Sequence, residues 1–172
     1  MDISISSPLT GTAIGLAEVP DPVFAGRMVG PGAAVDPARK LQTAVAPIAG
    51  RLVKLKPHAF VVQSEDGRGI LVHLGIDTVN LDGEGFELVA TEGDQLRAGQ
   101  PVVTWNPADV EAGGLSPVSP VIALDAEAAA IDAIADGTVV AGDELFHWRS
   151  RRAKDSAGPA AGAAGGTGKT KD

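Results

Sequence analysis

Two of the three histidines, His58 and His73, flank a stretch that reads as a β-hairpin, and Asp77 follows four residues after the second. Phe60 to Gln63 is an apolar, β-branched run, Ser64 to Gly69 is turn chemistry, and Ile70 to Leu74 is a second apolar run. Centring the turn between Asp66 and Gly67 sets Phe60 opposite His73 and His58 opposite Gly75. The two imidazoles are then diagonal neighbours on one face, roughly 7–8 Å apart at Cα. A shift of one residue would send them to opposite faces. Paired imidazoles support three chemistries: a metal site completed by Asp77 or by a partner's carboxylate, acid–base catalysis, or nucleophilic attack on phosphorus with one ring donating to the phosphoryl oxygens. The residues alone leave all three open. His147, beside Trp148, has no evident partner in the sequence.

The elements that must hold these side chains read as short strands. Glycine (22) and proline (12) are frequent, and apolar runs are brief, which points to an all-β sandwich or barrel. Helical character is expected over Ala126 to Ala135, with Asp125 as N-cap and Gly137 as the stop. Asn106 to Ala112 reads as a single turn. An internal duplication is visible: Ser7-Pro8-Leu9-Thr10-Gly11 aligns with Ala46-Pro47-Ile48-Ala49-Gly50, each followed by alternating aliphatics. Ala98-Gly99 precedes Trp105 as Ala141-Gly142 precedes Trp148. Two related motifs packed on each other would close an antiparallel β-sandwich. Asp21 to Gly32, too rich in Gly and Pro for a strand, either tucks Phe24 and Met28 into the core or presents an apolar patch.

Bulk properties narrow the function classes. A chain of 172 residues without cysteine has neither disulfides nor thiolate chemistry. Of the net charge of −8, the part from Arg149 onward carries six Lys/Arg against two Asp/Glu, leaving eight against twenty in the body. An acidic body does not suit nucleic acid; it suits a basic protein partner, or simple solubility. The start, Met1-Asp2-Ile3-Ser4, has no basic region or signal-length apolar run, and no stretch approaches a membrane span, so a cytoplasmic protein without membrane insertion is expected. Residues 1–150 are read as one domain and 151–172 as a disordered basic tail. Within that tail, AAGGTGKT fits a relaxed phosphate-loop pattern but lacks a leading strand and a following helix, and is rejected.

The stretch HAFVVQSEDGRGILVHLGIDTVNLDGEGF resembles the signature of enzyme IIA of the glucose class of the bacterial sugar phosphotransferase system. The resemblance runs from about Ile5 to Arg149 and includes SPLTG, VPDPVFAGRMVGPG, APIAG, EGDQLRAGQPVVTWN and GTVVAGDELFHW. It implies a duplicated hybrid fold of two packed antiparallel sheets with one short helix. It also implies a phosphoryl carrier, loaded by the histidine phosphocarrier protein and unloaded onto the IIB domain of a glucose-type permease for glucose or N-acetylglucosamine. Regulatory binding of transporters or kinases in the unphosphorylated form goes with that role. By motif match His73 carries the phosphoryl group on Nε2 and His58 stabilises it. Val23, Phe24, Met28, Val29, Phe60, Leu71, Ile76 and Val79 match the docking surface, and Asp21 and Asp77 its acidic groups, which moves the Asp21 loop to the patch reading. No cofactor is required; a Zn²⁺ shared by His58, His73 and a partner's carboxylate is the one metal arrangement left open. A zinc hydrolase on a similar fold would need a third intrinsic ligand. Lys56-Pro57 replaces the Thr-Asn that precedes the second histidine in well-known members, so what orients His58 is open, and Asn80 stands where an acidic residue is common.

Overall fold

The structure is a computed structural model that describes residues 2–149; the C-terminal segment, with its AAGGTGKT stretch, lies outside the described residues. In the first part of the chain β1 (Ile3–Ser6), β2 (Gly11–Ile14), α1 (Pro22–Ala25), β3 (Gly32–Pro37), β4 (Gln42–Val45), β5 (Gly50–Lys56), β6 (Ala59–Gln63) and β7 (Gly69–His73) follow one another. The second part adds β8 (Phe86–Leu88), β9 (Gln95–Leu96), β10 (Pro101–Trp105), α2 (Pro107–Ala112), β11 (Ser119–Ala123), β12 (Ile131–Asp132), β13 (Gly137–Val139) and β14 (Glu144–Trp148). An eight-stranded sheet in the order β13-β2-β3-β11-β7-β6-β5-β9 is accompanied by two three-stranded sheets, β1-β14-β12 and β4-β10-β8. Every paired ladder is antiparallel, so the all-β antiparallel sandwich is the architecture found.

The two small sheets carry the duplication. Trp148 pairs with Ile3 and Ile131; Trp105 pairs with Gln42 and Phe86 in the same places. The two proline turns lock reciprocally, Ser6 N–H donating to Pro47 C=O at 2.9 Å and Val45 N–H to Pro8 C=O at 3.0 Å. Each turn then grips its own glycine: Gly142 N–H reaches Ser7 C=O at 2.9 Å, and Gly99 N–H reaches Ala46 C=O at 2.8 Å. Equivalent residues exchanging equivalent bonds identify two copies of one motif, with both tryptophans buried between them.

Two expectations are corrected. Ala126 to Ala135 is not a helix: only Ala128–Ala130 makes a 3₁₀ turn, and Ile131–Asp132 is a strand. Helical bonds in this alanine-rich stretch give way to two bonds with the last strand and its end, Arg149 N–H to Ala130 C=O and Ala135 N–H to Leu145 C=O, both at 2.8 Å. Tertiary pairing outweighs the propensity of alanine, which is worth only tenths of a kcal/mol per residue. Helix occurs instead at α2, where Asn106 caps Ala108 N–H, and at α1, where Asp21 accepts from Val23 N–H with Pro22 at the first turn. The hairpin register is also displaced by one residue. Ser64 and Arg68 close a three-residue loop, with Gly67 at φ 91°. The odd loop sets Ala59, not Phe60, opposite His73.

Side chains of β6 and β7 divide between two apolar clusters. Phe60, Val62, Ile70 and Val72 point into the main core. Leu71 and His73 alternate to the other face, where Leu71 packs on a smaller cluster of Leu16, Val19, Phe24, Ala34, Ile76 and Ile122.

Candidate functional site

His73 ends β7 above that smaller cluster. His58 occupies the two-residue turn between β5 and β6, whose flanking pair is Lys56 and Ala59. Strand alternation does not govern a turn residue, so the displaced register still lets the rings meet. Their centroids lie 5.2 Å apart, edge to face at 72°. Phe24, from α1, packs on the other flank of His73 at 5.2 Å and 55°. The backbone holds the turn in place, since Leu74 N–H donates to His58 C=O at 2.7 Å.

The chemistry of His73 follows from its second bond. Its Nδ1 lies 2.6 Å from the carbonyl oxygen of Gly75. A carbonyl only accepts, so Nδ1 carries the proton and Nε2 is left with its lone pair. Burial lowers the pKa of His73 below its ordinary 6.5, against the opposing pull of the Gly75 carbonyl and the charges of Asp21 and Asp77. Burial also lowers His58, and the charged forms of His73 and Lys56 push it the same way. Both rings are therefore neutral at pH 7, and the site holds an unprotonated imidazole nitrogen.

The other residues singled out in the sequence take three positions. Val23, Met28 and Val79 form an exposed apolar rim, 43, 76 and 55% accessible. Phe24 and Ile76 are buried beneath it, with Val29 and Leu71 half-buried at their side. The Asp21 loop divides the two alternatives: Phe24 is tucked into the smaller core, contrary to the patch reading, while Met28 is exposed as that reading expects. Phe60 does not belong to this surface. It is fully buried in the main core, because its position opposite Val72 points it away from His73.

Asp21 spends its carboxylate on the α1 cap, whereas Asp77, at φ 62°, is exposed and makes no cap bond to the 3₁₀ turn Thr78–Leu81 that it precedes. The Lys56-Pro57 substitution leaves the His58 ring without a hydrogen bond among the described residues. Pro57 instead packs on the Gly83 backbone. His147 does have partners, Asp2 at 3.5 Å and Glu144 at 4.0 Å. Gly75, whose carbonyl sets the tautomer, figures in the sequence only as the expected partner of His58; the signal for its carbonyl is a glycine two residues after a histidine, at a strand end. Among the described residues no group of three or more His, Asp or Glu is arranged to hold a metal ion. The two imidazoles offer two donors where zinc takes four ligands.

Comparison with known proteins follows the same lines. A family model described as phosphoenolpyruvate-dependent sugar phosphotransferase system, EIIA 1, matches residues 3–129. The chain is 39% identical over 145 residues to the PTS system glucose-specific EIIA component of Staphylococcus aureus, covering 83% of this chain and 86% of that one. It is 40% identical over 142 residues to the PTS system N-acetylglucosamine-specific EIICBA component of Klebsiella pneumoniae, covering 81% of this chain and 22% of the other. Glucose permease IIA from Mycoplasma capricolum superposes with a TM-score of 0.79 at 36% identity, covering 86% of this chain and 96% of that one. Sequence match and fold together show that the chain belongs to the EIIA 1 family of the phosphoenolpyruvate-dependent sugar phosphotransferase system, as a glucose-class phosphotransferase component of sugar uptake.

Proposed function

We propose that the chain is a phosphoryl carrier that takes a phosphoryl group from the histidine phosphocarrier protein onto Nε2 of His73 and passes it to the IIB domain of a glucose-type permease. The observation that carries this reading is the Nδ1–H bond of His73 to Gly75, which leaves Nε2 as the nucleophilic nitrogen beside a second imidazole. The Nε2 lone pair forms the new N–P bond as the donor's bond to phosphorus breaks. In the second transfer that N–P bond breaks as the acceptor side chain of the IIB domain forms its own bond to phosphorus. Such a transfer needs in-line placement and charge neutralisation and little else. His58 supplies a donor to the phosphoryl oxygens, and the exposed rim of Val23, Met28 and Val79 closes on a partner to exclude water.

A IIB partner is supported by relatives named EIICBA and EIIBCA, of which this chain matches 22% and 18% of the length. The specificities in the relatives' names, glucose and N-acetylglucosamine, support that sugar class. No helix among the described residues is long and apolar enough to cross a membrane, which fits a carrier shuttling in the cytoplasm between partners. The same apolar rim, unphosphorylated, is the surface on which regulated transporters or kinases would bind. Intact mass after incubation with phosphoenolpyruvate, enzyme I and the phosphocarrier tests the carrier. Wild type and His58→Ala gain one acid-labile phosphoryl group and His73→Ala gains none. A wild type that stays unlabelled overturns the reading.

A further inference from the structure

Among the described residues the buried polar side chains are Ser7, Thr78 and Ser119, each fully enclosed. Ser7 closes its own turn by donating to Leu9 C=O. The other two come from different parts of the chain and meet at one peptide plane, Leu74–Gly75. The Thr78 hydroxyl donates to Leu74 C=O at 2.7 Å. The Ser119 hydroxyl accepts from Gly75 N–H at 3.3 Å and donates to Pro117 C=O at 2.9 Å. Leu74 C=O and Gly75 N–H belong to a single peptide plane, so two buried hydroxyls hold that plane at both of its polar ends.

The next plane contains Gly75 C=O and Ile76 N–H. Ile76 N–H donates to Ser116 C=O at 2.9 Å. In a trans peptide the carbonyl points the opposite way, and there it meets Nδ1 of His73. Little slack remains around this arrangement. Gly75 sits at φ 83°, and a Cβ there would lie 2.7 Å from Thr78 Cγ2 and 3.1 Å from Ser116 C=O. Rotating either plane would break a buried hydrogen bond, which is costly where water cannot replace it.

We propose that Ser119 and Thr78 are positioning residues that fix the tautomer of His73, by clamping the peptide plane that aims the Gly75 carbonyl at Nδ1. The consequence for phosphoryl transfer rests on the reading of His73 as the acceptor; the consequence for the tautomer does not. Without the Ser119 hydroxyl, Gly75 N–H is buried with no acceptor. That plane turns to find one, and because the next plane is joined to it through the Gly75 Cα, the Gly75 carbonyl swings away from the imidazole. Nδ1 then loses its acceptor, and the proton distributes between the two nitrogens.

The test compares Ser119→Ala and Thr78→Val with Ser119→Thr and Thr78→Ser, which keep the hydroxyls. Imidazole ¹H–¹⁵N spectra of the unphosphorylated protein report which nitrogen of His73 bears the proton. Wild type and the hydroxyl-keeping variants show the Nδ1–H form. Ser119→Ala and Thr78→Val show a mixture, with a lower titration midpoint for His73, and accept a phosphoryl group about threefold to tenfold more slowly, the range one hydrogen bond supplies. A role in stability alone would lower the melting temperature and leave tautomer and midpoint unchanged. A folded Ser119→Ala with the wild-type tautomer overturns the proposal. Should Ser119→Ala fail to fold, Thr78→Val decides on the same plane. If wild type takes no phosphoryl group, the carrier reading fails, while the spectra still decide the clamp.

Discussion

Nδ1 of His73 lies 2.6 Å from the carbonyl oxygen of Gly75, two residues further along the same loop. The bond closes a ring within the backbone segment that carries the histidine. It therefore holds the imidazole without help from a partner protein, and the site is set before anything docks.

The pH response follows from the two lowered histidines. Each has a folded-state pKa below the ordinary 6.5, chiefly from burial. Between those values and 6.5 the unfolded chain binds more protons than the folded one, so stability rises with pH in that window. The contribution of the neutral rings is complete above pH 6.5 and is lost as pH falls through the folded-state values. Denaturant midpoints measured downward from pH 7 should drop, and His58→Gln should shallow the drop. Phosphoryl acceptance should hold through most of that window and fall only as pH drops through the folded-state value of His73, because protonation there removes the Nε2 lone pair.

Charge coupling between the rings gives a second outcome. Protonated His73 disfavours protonated His58. Replacing the His73 charge with a phosphoryl dianion reverses the sign of that interaction. The His58 midpoint should therefore rise in His73→Gln and rise further on phosphorylation of wild type, as read by NMR titration. His58→Ala should still accept a phosphoryl group and pass it on about 10²–10³-fold more slowly, the loss typical of one oxyanion donor. A phosphorylated protein whose His58 midpoint stays put would remove the stabilising role.

Phe60 and Met28 separate packing from docking. Phe60 is fully buried in the main core, so Phe60→Ala should cost about 3–5 kcal/mol in stability and leave the transfer rate of the remaining folded protein near that of wild type. Met28 is 76% exposed. Met28→Asp should change stability by less than about 0.5 kcal/mol yet impair loading by the phosphocarrier, since it puts a charge in the apolar rim. Chemical denaturation and single-turnover transfer on both variants check the pair.

Much of this arrangement is legible in the sequence, and the exceptions have physical causes. The duplication is readable because Pro-x-x-Gly and the Gly-to-Trp spacing are local, and the paired bonds of Pro8 and Pro47 repeat them in space. The histidine pair is readable because the hairpin is short. The register is missed by one, since Glu65-Asp66-Gly67 forms a three-residue loop where an even one was assumed, and Phe60 is assigned to the wrong face for the same reason. Ala126 to Ala135 reads as helix because alanine favours it. Its pairing with β14 is a long-range contact that local propensity does not contain. Ser119 reaches Gly75 across 44 residues of chain, and no spacing rule points to it.

Asp21 does two jobs that one pair of substitutions pulls apart. Its carboxylate caps α1 by accepting from Val23 N–H at 2.8 Å, and its charge raises the pKa of His73. The helix it caps carries Phe24 against the His73 ring. Asp21→Ala removes cap and charge together and should cost about 1 kcal/mol. Phe24 would also be freed to shift. Asp21→Ser keeps an acceptor at the cap and removes only the charge. It should hold the melting temperature near wild type, lower the His73 midpoint further, and slow association with a basic phosphocarrier at low salt, with the difference fading as salt is raised. Asp77→Asn should behave like Asp21→Ser, because the Asp77 side chain caps nothing and acts on His73 through charge alone. If Asp21→Ser associates like wild type at low salt and only Asp21→Ala is slowed, the cap rather than the charge is what the partner needs.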